Sequence, residues 1–89
     1  MRRINMTKRT VTIELASGLE ARPIAMLVQL ASSYESRIYV ESDNKKVNAK
    51  SIMGMMTLDL PVGEQVIITA DGADEEKAID EIEKYLSNH

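Results

Sequence analysis

The hydrophobic period of this chain changes between residues 15 and 21, and that change restricts its fold more than any other feature. Over residues 10–15 apolar and polar residues alternate, and a period of two with one polar face predicts a half-buried strand. Over residues 21–34 the spacing becomes that of an amphipathic helix. The inward-facing residues are Val11, Ile13 and Leu15 in the first segment and Ile24, Leu27, Val28 and Ala31 in the second.

The same two periods organise the rest of the chain. The further predicted segments are strands at 37–41, 45–49 and 65–70, a short helix at 51–58 and a last helix at 74–86. Asp43 and Asn44 separate the second and third strands, and both residue types tolerate the positive φ of a tight hairpin. Short strands with one polar face each predict a single, mostly antiparallel sheet with helices on its other face, which is a two-layer α+β domain. The pattern does not determine the strand order.

The composition limits the kind of protein further. A length of 89 residues predicts one domain. The chain has no Phe, Trp or Cys, so its core must be aliphatic, and disulfides and thiolate metal sites are excluded. No apolar run approaches the roughly 20 residues that span a bilayer, and the basic N-terminus lacks the apolar segment of a signal peptide. We therefore expect a cytoplasmic protein that does not enter the membrane.

Charge is distributed unevenly along the chain, whose formal net charge is -3. The basic start contains Arg2, Arg3, Lys8 and Arg9, and the acidic end contains Asp71, Asp74, Glu75, Glu76, Asp80, Glu81 and Glu83. No stripe combines basic and aromatic residues, which disfavours direct binding of nucleic acid. We expect the acidic end to be a solvated helix face.

The residues of common catalytic sites are missing. The only histidine is His89 at the end of the chain, so no internal imidazole can act as a base, a nucleophile or a metal ligand. No serine has a histidine partner, and no glycine-rich phosphate loop occurs. We predict a protein that is not itself an enzyme and that holds neither a metal nor a cofactor.

The segment GLEARP, residues 18–23, places an acid, an arginine and a proline at the start of the first predicted helix. Pro23 falls in the first turn, where its missing N–H costs little. The unpaired N–H groups of that turn favour an anion, and Arg22 adds a positive charge beside them. The simpler interpretation is that Glu20 is a charge at the positive end of the helix dipole, worth about 0.3–1 kcal/mol.

The segment NAKSIMGMM, residues 48–56, is the second helix start of interest. Ser51 is a good N-cap residue, and a phosphate on it would meet free backbone N–H groups. A helix this short cannot bury all the apolar residues that follow, which are Ile52, Met53, Met55 and Met56. Two interpretations remain open: these residues fill the core, or some form an exposed methionine-rich surface that suits several partners.

At these two segments the chain resembles the HPr family, the histidine-containing phosphocarrier proteins of the bacterial sugar phosphotransferase system. The family pattern Gly-aliphatic-His-Ala-Arg-Pro is matched at residues 18–23, except that Glu20 stands where the histidine should be. The family's regulatory segment is matched by VNAKSIMGMM, residues 47–56, and ADGADE, residues 70–75, looks like its last strand-to-helix turn. The similarity runs from about residue 7 to the end.

The resemblance implies the family fold. This is an open-faced two-layer sandwich in which a four-stranded antiparallel sheet carries three helices on one face, in the order βαββαβα. Residues 7–89 are then one HPr-like domain, and residues 1–6 are an N-terminal extension that we expect to be disordered.

The resemblance also implies which phosphate chemistry is lost. In the family, the histidine takes phosphate from enzyme I and passes it to sugar-specific components, and the arginine after it helps to neutralise that phosphate. Glu20 has no imidazole nitrogen, so we do not expect this relay. The sequence is similar to the Crh-type branch, which lacks the histidine and keeps the serine, although Crh-type proteins carry an uncharged residue there. The alternative is a phosphocarrier or docking component, either a natural variant or an engineered His-to-Glu form.

Ser51 matches the serine that HPr kinase/phosphorylase phosphorylates in Gram-positive relatives. The phosphorylated form then acts as corepressor with catabolite control protein A, a repressor of the LacI type. The resemblance therefore implies a regulator of carbon catabolite repression. The residues implied in anion or partner contacts are Arg22, Pro23, Lys50, Ile52, Met53 and Met56. Whether the charge of Glu20 imitates a phosphohistidine or only caps the helix stays open.

Overall fold

The computed structural model describes residues 6–15, 21–58 and 60–87. Within these residues the elements are β1 (Thr7–Thr12), α1 (Ala21–Ser32), β2 (Arg37–Ser42), β3 (Lys45–Asn48), α2 (Ile52–Met55), β4 (Gln65–Asp71) and α3 (Glu75–Ser87). Their order is βαββαβα, which confirms the order that the sequence predicts.

The four strands form one antiparallel sheet in the order β1-β4-β2-β3. The last strand in sequence, β4, lies between β1 and β2, so that Thr10 faces Ile67 and Val40 faces Ile68. The chain must therefore complete β4 before β1 can pair with any neighbour. Placing β4 in the centre also brings the starts of β1 and β2 close to the turn between β4 and α3.

One face of the sheet carries an aliphatic core, and the helices cover that face. The predicted stripe of α1 is confirmed, because Ile24, Leu27, Val28 and Ala31 are all buried. The strands and α3 supply most of the remaining buried apolar residues, including Val11, Ile38, Val40, Val66, Ile68, Ala78, Ile79, Ile82 and Leu86. The opposite face has no helix against it within the part of the chain that the structure describes, so the sandwich is open-faced.

Two predicted boundaries are wrong. Strand β1 spans Thr7–Thr12 rather than residues 10–15. Ile13 is nevertheless fully buried and continues the pairing locally, because its N–H donates to the Glu64 carbonyl at 2.8 Å and its own carbonyl accepts from Gly63. Helix α2 spans Ile52–Met55 rather than residues 51–58. Beyond it the backbone bonds tighten into turns, because the Thr57 N–H donates to the Gly54 carbonyl and the Leu58 N–H to the Met55 carbonyl, both at 3.1 Å.

The β2–β3 hairpin confirms its predicted turn. Asp43 has a φ of 50° and Asn44 a φ of 66°, and Ser42 pairs with Lys45 on either side of them. Two consecutive residues with positive φ form the kind of two-residue turn whose twist matches that of the flanking strands. Asp and Asn adopt this conformation more readily than other residues with side chains, so the turn follows from local sequence.

The acidic end differs from the solvated helix face that we expected, because several of its carboxylates bind groups distant in sequence. The Asp74 carboxylate accepts hydrogen bonds from the Ser36 hydroxyl at 2.5 Å, the Ser36 N–H at 3.0 Å and the Glu35 N–H at 2.9 Å. Ser36 is fully buried at the start of β2. Asp74 therefore joins the start of α3 to the start of β2, a contact that no local pattern indicates.

A second set of contacts joins α3 to β1. One guanidinium nitrogen of Arg9 lies 2.6 Å from an Asp80 oxygen and 2.9 Å from a Glu83 oxygen. The Thr7 hydroxyl donates to the Glu75 carboxylate at 2.8 Å, and Glu75 is only 6% exposed. These bonds hold the edge strand β1 against the helix layer, which supplements its pairing with β4.

The Asp74 contacts predict a pH dependence of stability. The pKa of Asp74 lies below its ordinary value of 3.8, first because the Ser36 hydroxyl and then because the Glu35 N–H stabilise the charged carboxylate. A lowered folded-state pKa contributes stability above the unfolded pKa, and this contribution is lost as the pH falls through the folded pKa. We expect the free energy of unfolding of Asp74→Asn to fall less than that of the wild type between about pH 5 and about pH 2.5.

Urea unfolding across that pH range measures this difference. Glu76→Gln is the matched control, because it removes the same charge from an exposed position on the first turn of α3. If Asp74→Asn and the wild type lost the same free energy over the range, the assigned role of Asp74 would be wrong.

Candidate functional site

Ser51 caps α2, as the sequence predicts. Its backbone is extended, with φ -112° and ψ 114°, and its hydroxyl oxygen accepts a hydrogen bond from the Gly54 N–H at 3.1 Å. This bond satisfies one of the donors that a helix start leaves unpaired. Ser51 is partly exposed, so its hydroxyl lies at the protein surface in a defined geometry.

The turn before Ser51 is held by the end of the sheet. The Ala49 N–H donates to the Ile38 carbonyl at 2.8 Å, and Ala49 is fully buried. The side-chain oxygen of Asn48 accepts from the Lys50 N–H at 2.8 Å, and the backbone carbonyl of Asn48 accepts from the Ser51 N–H at 3.0 Å. Because an Asn side chain can bond the backbone two residues on, it favours a tight turn here. Ser51 is therefore positioned by β2 and β3 rather than by a free loop.

Lys50 has a structural contact in this resting form. Its ammonium donates to the Tyr34 carbonyl at 2.7 Å, just beyond the last residue of α1. A positive charge at the C-terminal end of a helix satisfies terminal carbonyls and interacts well with the helix dipole. The resemblance implies Lys50 in anion or partner contacts, and that role remains a prediction beside the observed one.

The Lys50 contact predicts a loss of stability on substitution. We expect Lys50→Met to lower the free energy of unfolding by about 1 kcal/mol, because it removes a partly buried hydrogen bond while keeping most of the apolar stem. Lys84→Met is the control of equal charge change, since Lys84 is exposed and lies 3.5 Å from Glu81. Thermal unfolding of both variants tests this, and an equal change in both would contradict the assigned contact.

The apolar residues after Ser51 divide into one core residue and three surface residues. Met55 is fully buried, whereas Ile52 is 46%, Met53 82% and Met56 56% exposed. The interpretation in which all four fill the core is therefore wrong, and the exposed surface is confirmed. We call Ile52, Met53 and Met56 the α2 patch. Large apolar side chains exposed together make this surface a candidate for contact with a partner.

In the sequence, the other predicted site residues fall in or just before the first turn of α1. Glu20 lies outside the described residues, together with Gly18 and Leu19. Arg22 is exposed in the first turn, and Pro23 is partly buried there. The Pro23 carbonyl accepts from the Tyr85 hydroxyl at 3.0 Å. Burial raises the pKa of Tyr85 above 10.0, so its hydroxyl keeps the proton that it donates.

The predicted residues thus occupy two separate places. Lys50 lies by the end of α1, where its ammonium donates to the Tyr34 carbonyl, and the α2 patch follows on the helix that Ser51 caps, whereas Arg22 lies in the first turn of α1. The rise of a helix puts about 15 Å between Arg22 and Ser32, the last residue of α1, along the axis. A partner that contacts both places must cover most of the length of α1.

Met26 is an exposed residue that sequence reasoning missed. It lies on α1, against which α2 packs, and it is 53% exposed. The signal was present in the sequence, because Met26 falls outside the stripe formed by Ile24, Leu27, Val28 and Ala31. A large apolar residue off the buried stripe of an amphipathic helix faces solvent by geometry.

Within residues 6–15, 21–58 and 60–87, no group of three or more His, Cys, Asp or Glu side chains is placed to hold a metal ion. The helices of the same ranges are too short and too polar for any of them to cross a membrane. A depression of about 460 Å³ beside the hairpin lies away from the predicted site and is lined by Thr10, Glu41, Ser42, Asp43, Asn44, Gln65, Val66 and Ile67.

The fold and this site define the class of small open-faced α+β sandwiches, here with a capping serine and an exposed apolar patch on the helix layer. The family model described as "PTS HPr component phosphorylation site" matches residues 7–88. The chain belongs to the HPr family, as a Crh-like member. This confirms the resemblance that the two sequence segments indicated.

Individual relatives agree with this assignment. The HPr-like protein Crh of Bacillus subtilis (strain 168) is 43% identical over 81 residues, which are 91% of this chain and 95% of that protein. The crystal structure of the phosphocarrier protein HPr from Bacillus anthracis str. Ames has a TM-score of 0.89 and 42% identity, over 91% of this chain and 96% of the other. The crystal structure of Crh from Bacillus subtilis, described for that protein as a dimer with a swapped domain, has a TM-score of 0.76 and 43% identity, over 89% and 91%.

Proposed function

We propose that this protein regulates carbon catabolite repression through phosphorylation of Ser51 by HPr kinase/phosphorylase. What supports the proposal most is the setting of Ser51, a partly exposed capping residue directly followed by the exposed α2 patch. The Crh-like relatives and the absence of a histidine at residue 20 support it further. The phosphorylated form then binds catabolite control protein A as a corepressor, and no phosphate is relayed through histidine.

The modification joins a charge to an apolar contact surface. The kinase transfers the terminal phosphoryl group of ATP to the Ser51 oxygen, which loses its proton, and ADP leaves. The phosphate adds a charge of about -1.5 to -2 and strong acceptor oxygens. A partner with a basic residue beside an apolar groove can bind the phosphate and the α2 patch together, the first through charge-assisted hydrogen bonds and the second through burial. Arg22, exposed at the far end of α1, extends the contact.

Phosphorylation in vitro tests the proposal. After incubation with HPr kinase/phosphorylase and ATP, we expect one phosphate on the wild type, located on Ser51 by peptide mass spectrometry. Ser51→Ala is expected to take none, and Ser32→Ala, which removes an exposed hydroxyl on α1, is expected to be modified like the wild type. An unmodified wild type, or a phosphate on another residue, would contradict the proposal.

Binding of the repressor tests the second half. We expect catabolite control protein A to bind the phosphorylated chain and to bind the unphosphorylated chain at least about tenfold more weakly, a difference of about 1.4 kcal/mol. Glu20→Gln tests whether the charge at residue 20 contributes to this binding. Equal affinities of Glu20→Gln and the wild type would exclude the imitation of a phosphohistidine and leave the helix-capping interpretation.

A phosphocarrier or docking component is the second candidate. The exposed side chain of Arg22 and the Pro23 carbonyl held by Tyr85 favour it, because the first turn of α1 remains ordered where enzyme I and sugar-specific components would dock. Labelling with phosphoenolpyruvate and purified enzyme I separates the candidates. Label on Glu20 would establish the carrier, whereas binding of enzyme I without label would establish only a weak docking role.

A further inference from the structure

The sulfur atoms of this chain are confined to methionine, and their exposures differ sharply. The sequence has 6 Met and no Cys, so no thiol competes for an oxidant. Met53 is 82% exposed, and Met55, two residues later on the same short helix, is fully buried. A two-electron oxidant must reach the thioether sulfur directly, so oxidation rates follow exposure.

We propose that Met53 is a site of reversible oxidation whose sulfoxide disables the α2 patch. In the reaction, the thioether sulfur attacks one oxygen of a peroxide, for instance hydrogen peroxide. With hydrogen peroxide, an S–O bond forms, the O–O bond breaks, and the proton of the transferred hydroxyl moves to the departing hydroxide, which leaves as water. The sulfur is thereby oxidised by two electrons to the sulfoxide, and the peroxide is reduced by two. Methionine sulfoxide reductases reverse the change. Within the α2 patch, Met56, which is 56% exposed, is the second methionine open to the same reaction.

The consequence for binding follows from polarity. A sulfoxide oxygen is a strong acceptor on a side chain that was apolar, and burying it in an apolar groove without a donor is unfavourable. The α2 patch would then lose its fit to a partner although Ser51 still carries its phosphate. Oxidation would thus act as a second control on the same surface, and this consequence rests on the function proposed for Ser51.

The fold itself tolerates the modification. Met53 contributes little buried area, and the cap of α2 is the bond from the Gly54 N–H to the Ser51 oxygen, which does not involve Met53. The core contact of α2 is Met55, whose sulfur is out of reach in the folded state. We therefore expect the oxidised protein to keep the secondary structure and thermal stability of the reduced one.

Oxidation of the intact protein with hydrogen peroxide, followed by peptide mass spectrometry, tests the site without any partner. We expect Met53 to oxidise at least about tenfold faster than Met55. Equal rates for Met53 and Met55 would overturn the assignment of the site. This arm does not depend on the phosphorylation of Ser51.

The regulatory arm compares affinities for catabolite control protein A before and after oxidation, within each variant, on protein already phosphorylated at Ser51. In the wild type, we expect oxidation to weaken binding at least about tenfold and reductase treatment to restore it. In the double variant Met53→Leu/Met56→Leu, we expect the ratio of the dissociation constants after and before oxidation to stay near one. An unchanged affinity of the oxidised wild type would overturn the proposal that oxidation regulates binding. Failure of the reduced wild type to take phosphate would instead contradict the proposed function and would leave the oxidation rates as the test of the site.

Discussion

Replacing Met55 with alanine is expected to lower the free energy of unfolding by about 2–5 kcal/mol, the range for truncating a fully buried large side chain. Met55 is the only buried residue of α2, which has four residues. A helix of that length has no stability of its own, so it depends on this one contact with the core and on the Ser51 cap. The substitution should therefore leave a cavity and loosen the whole segment.

Urea unfolding of Met55→Ala beside Met53→Ala measures the effect. Both substitutions remove the same atoms from the same helix, but Met53 is 82% exposed and Met55 fully buried. We expect Met53→Ala to change stability by less than about 0.5 kcal/mol. Similar losses in the two variants would mean that α2 is not anchored as described. Met55→Ala should also slow the phosphorylation proposed for Ser51, because a loosened cap presents the hydroxyl in many geometries.

Gly72→Ala is expected to destabilise the protein by about 3 kcal/mol through overpacking. A methyl group on Gly72 would lie 2.6 Å from the Ser36 α-carbon and 2.7 Å from the Ser36 hydroxyl oxygen. The nearest atom belongs to the backbone of a fully buried residue, so a side-chain rotation cannot relieve the clash. The turn between β4 and α3 must move away from the start of β2.

That movement would also separate the hydroxyl of Ser36 from the Asp74 carboxylate that it bonds at 2.5 Å. Gly72→Ala should therefore lose part of the acid dependence of stability described for Asp74, as well as stability at neutral pH. Gly54→Ala is the matched control, because its nearest neighbour would be the Ser51 hydroxyl oxygen at an ordinary 3.4 Å. We expect Gly54→Ala to stay within about 1 kcal/mol of the wild type, since alanine is the better helix former. A wild-type stability for Gly72→Ala would show that this turn is not tightly packed.

Met55 and Gly72 support the fold, whereas the α2 patch lies exposed at the surface. Met55 and Gly72 hold α2 and the β4–α3 turn in place, and neither needs to touch a partner. Met53 contributes little to the fold and is among the residues proposed to meet one. Substitutions of the exposed Met53 and Met56 are therefore expected to cost little stability.

The sequence by itself determined the type and order of the elements, because these depend on local periods. The stripe from Ile24 to Ala31 predicted α1, Asp43 and Asn44 predicted the hairpin, and Ser51 predicted a helix cap. The motifs at residues 18–23 and 47–56 carried the family resemblance for a similar reason, since each is a continuous segment with its own residue pattern.

Only the tertiary structure decided which residues meet across the chain. Because β4 lies in the centre of the sheet, Asp74 meets Ser36. Arg9 on β1 pairs with Asp80 and Glu83 on α3. In both cases the partners are far apart in sequence. The tertiary structure also decided that Met55 rather than Met53 enters the core. The sequence could not show this, because a helix of four residues has too few turns for a stripe to indicate its buried side. Local periods report which residues share a face, whereas the choice of partner for that face depends on packing and hydrogen bonds between distant segments.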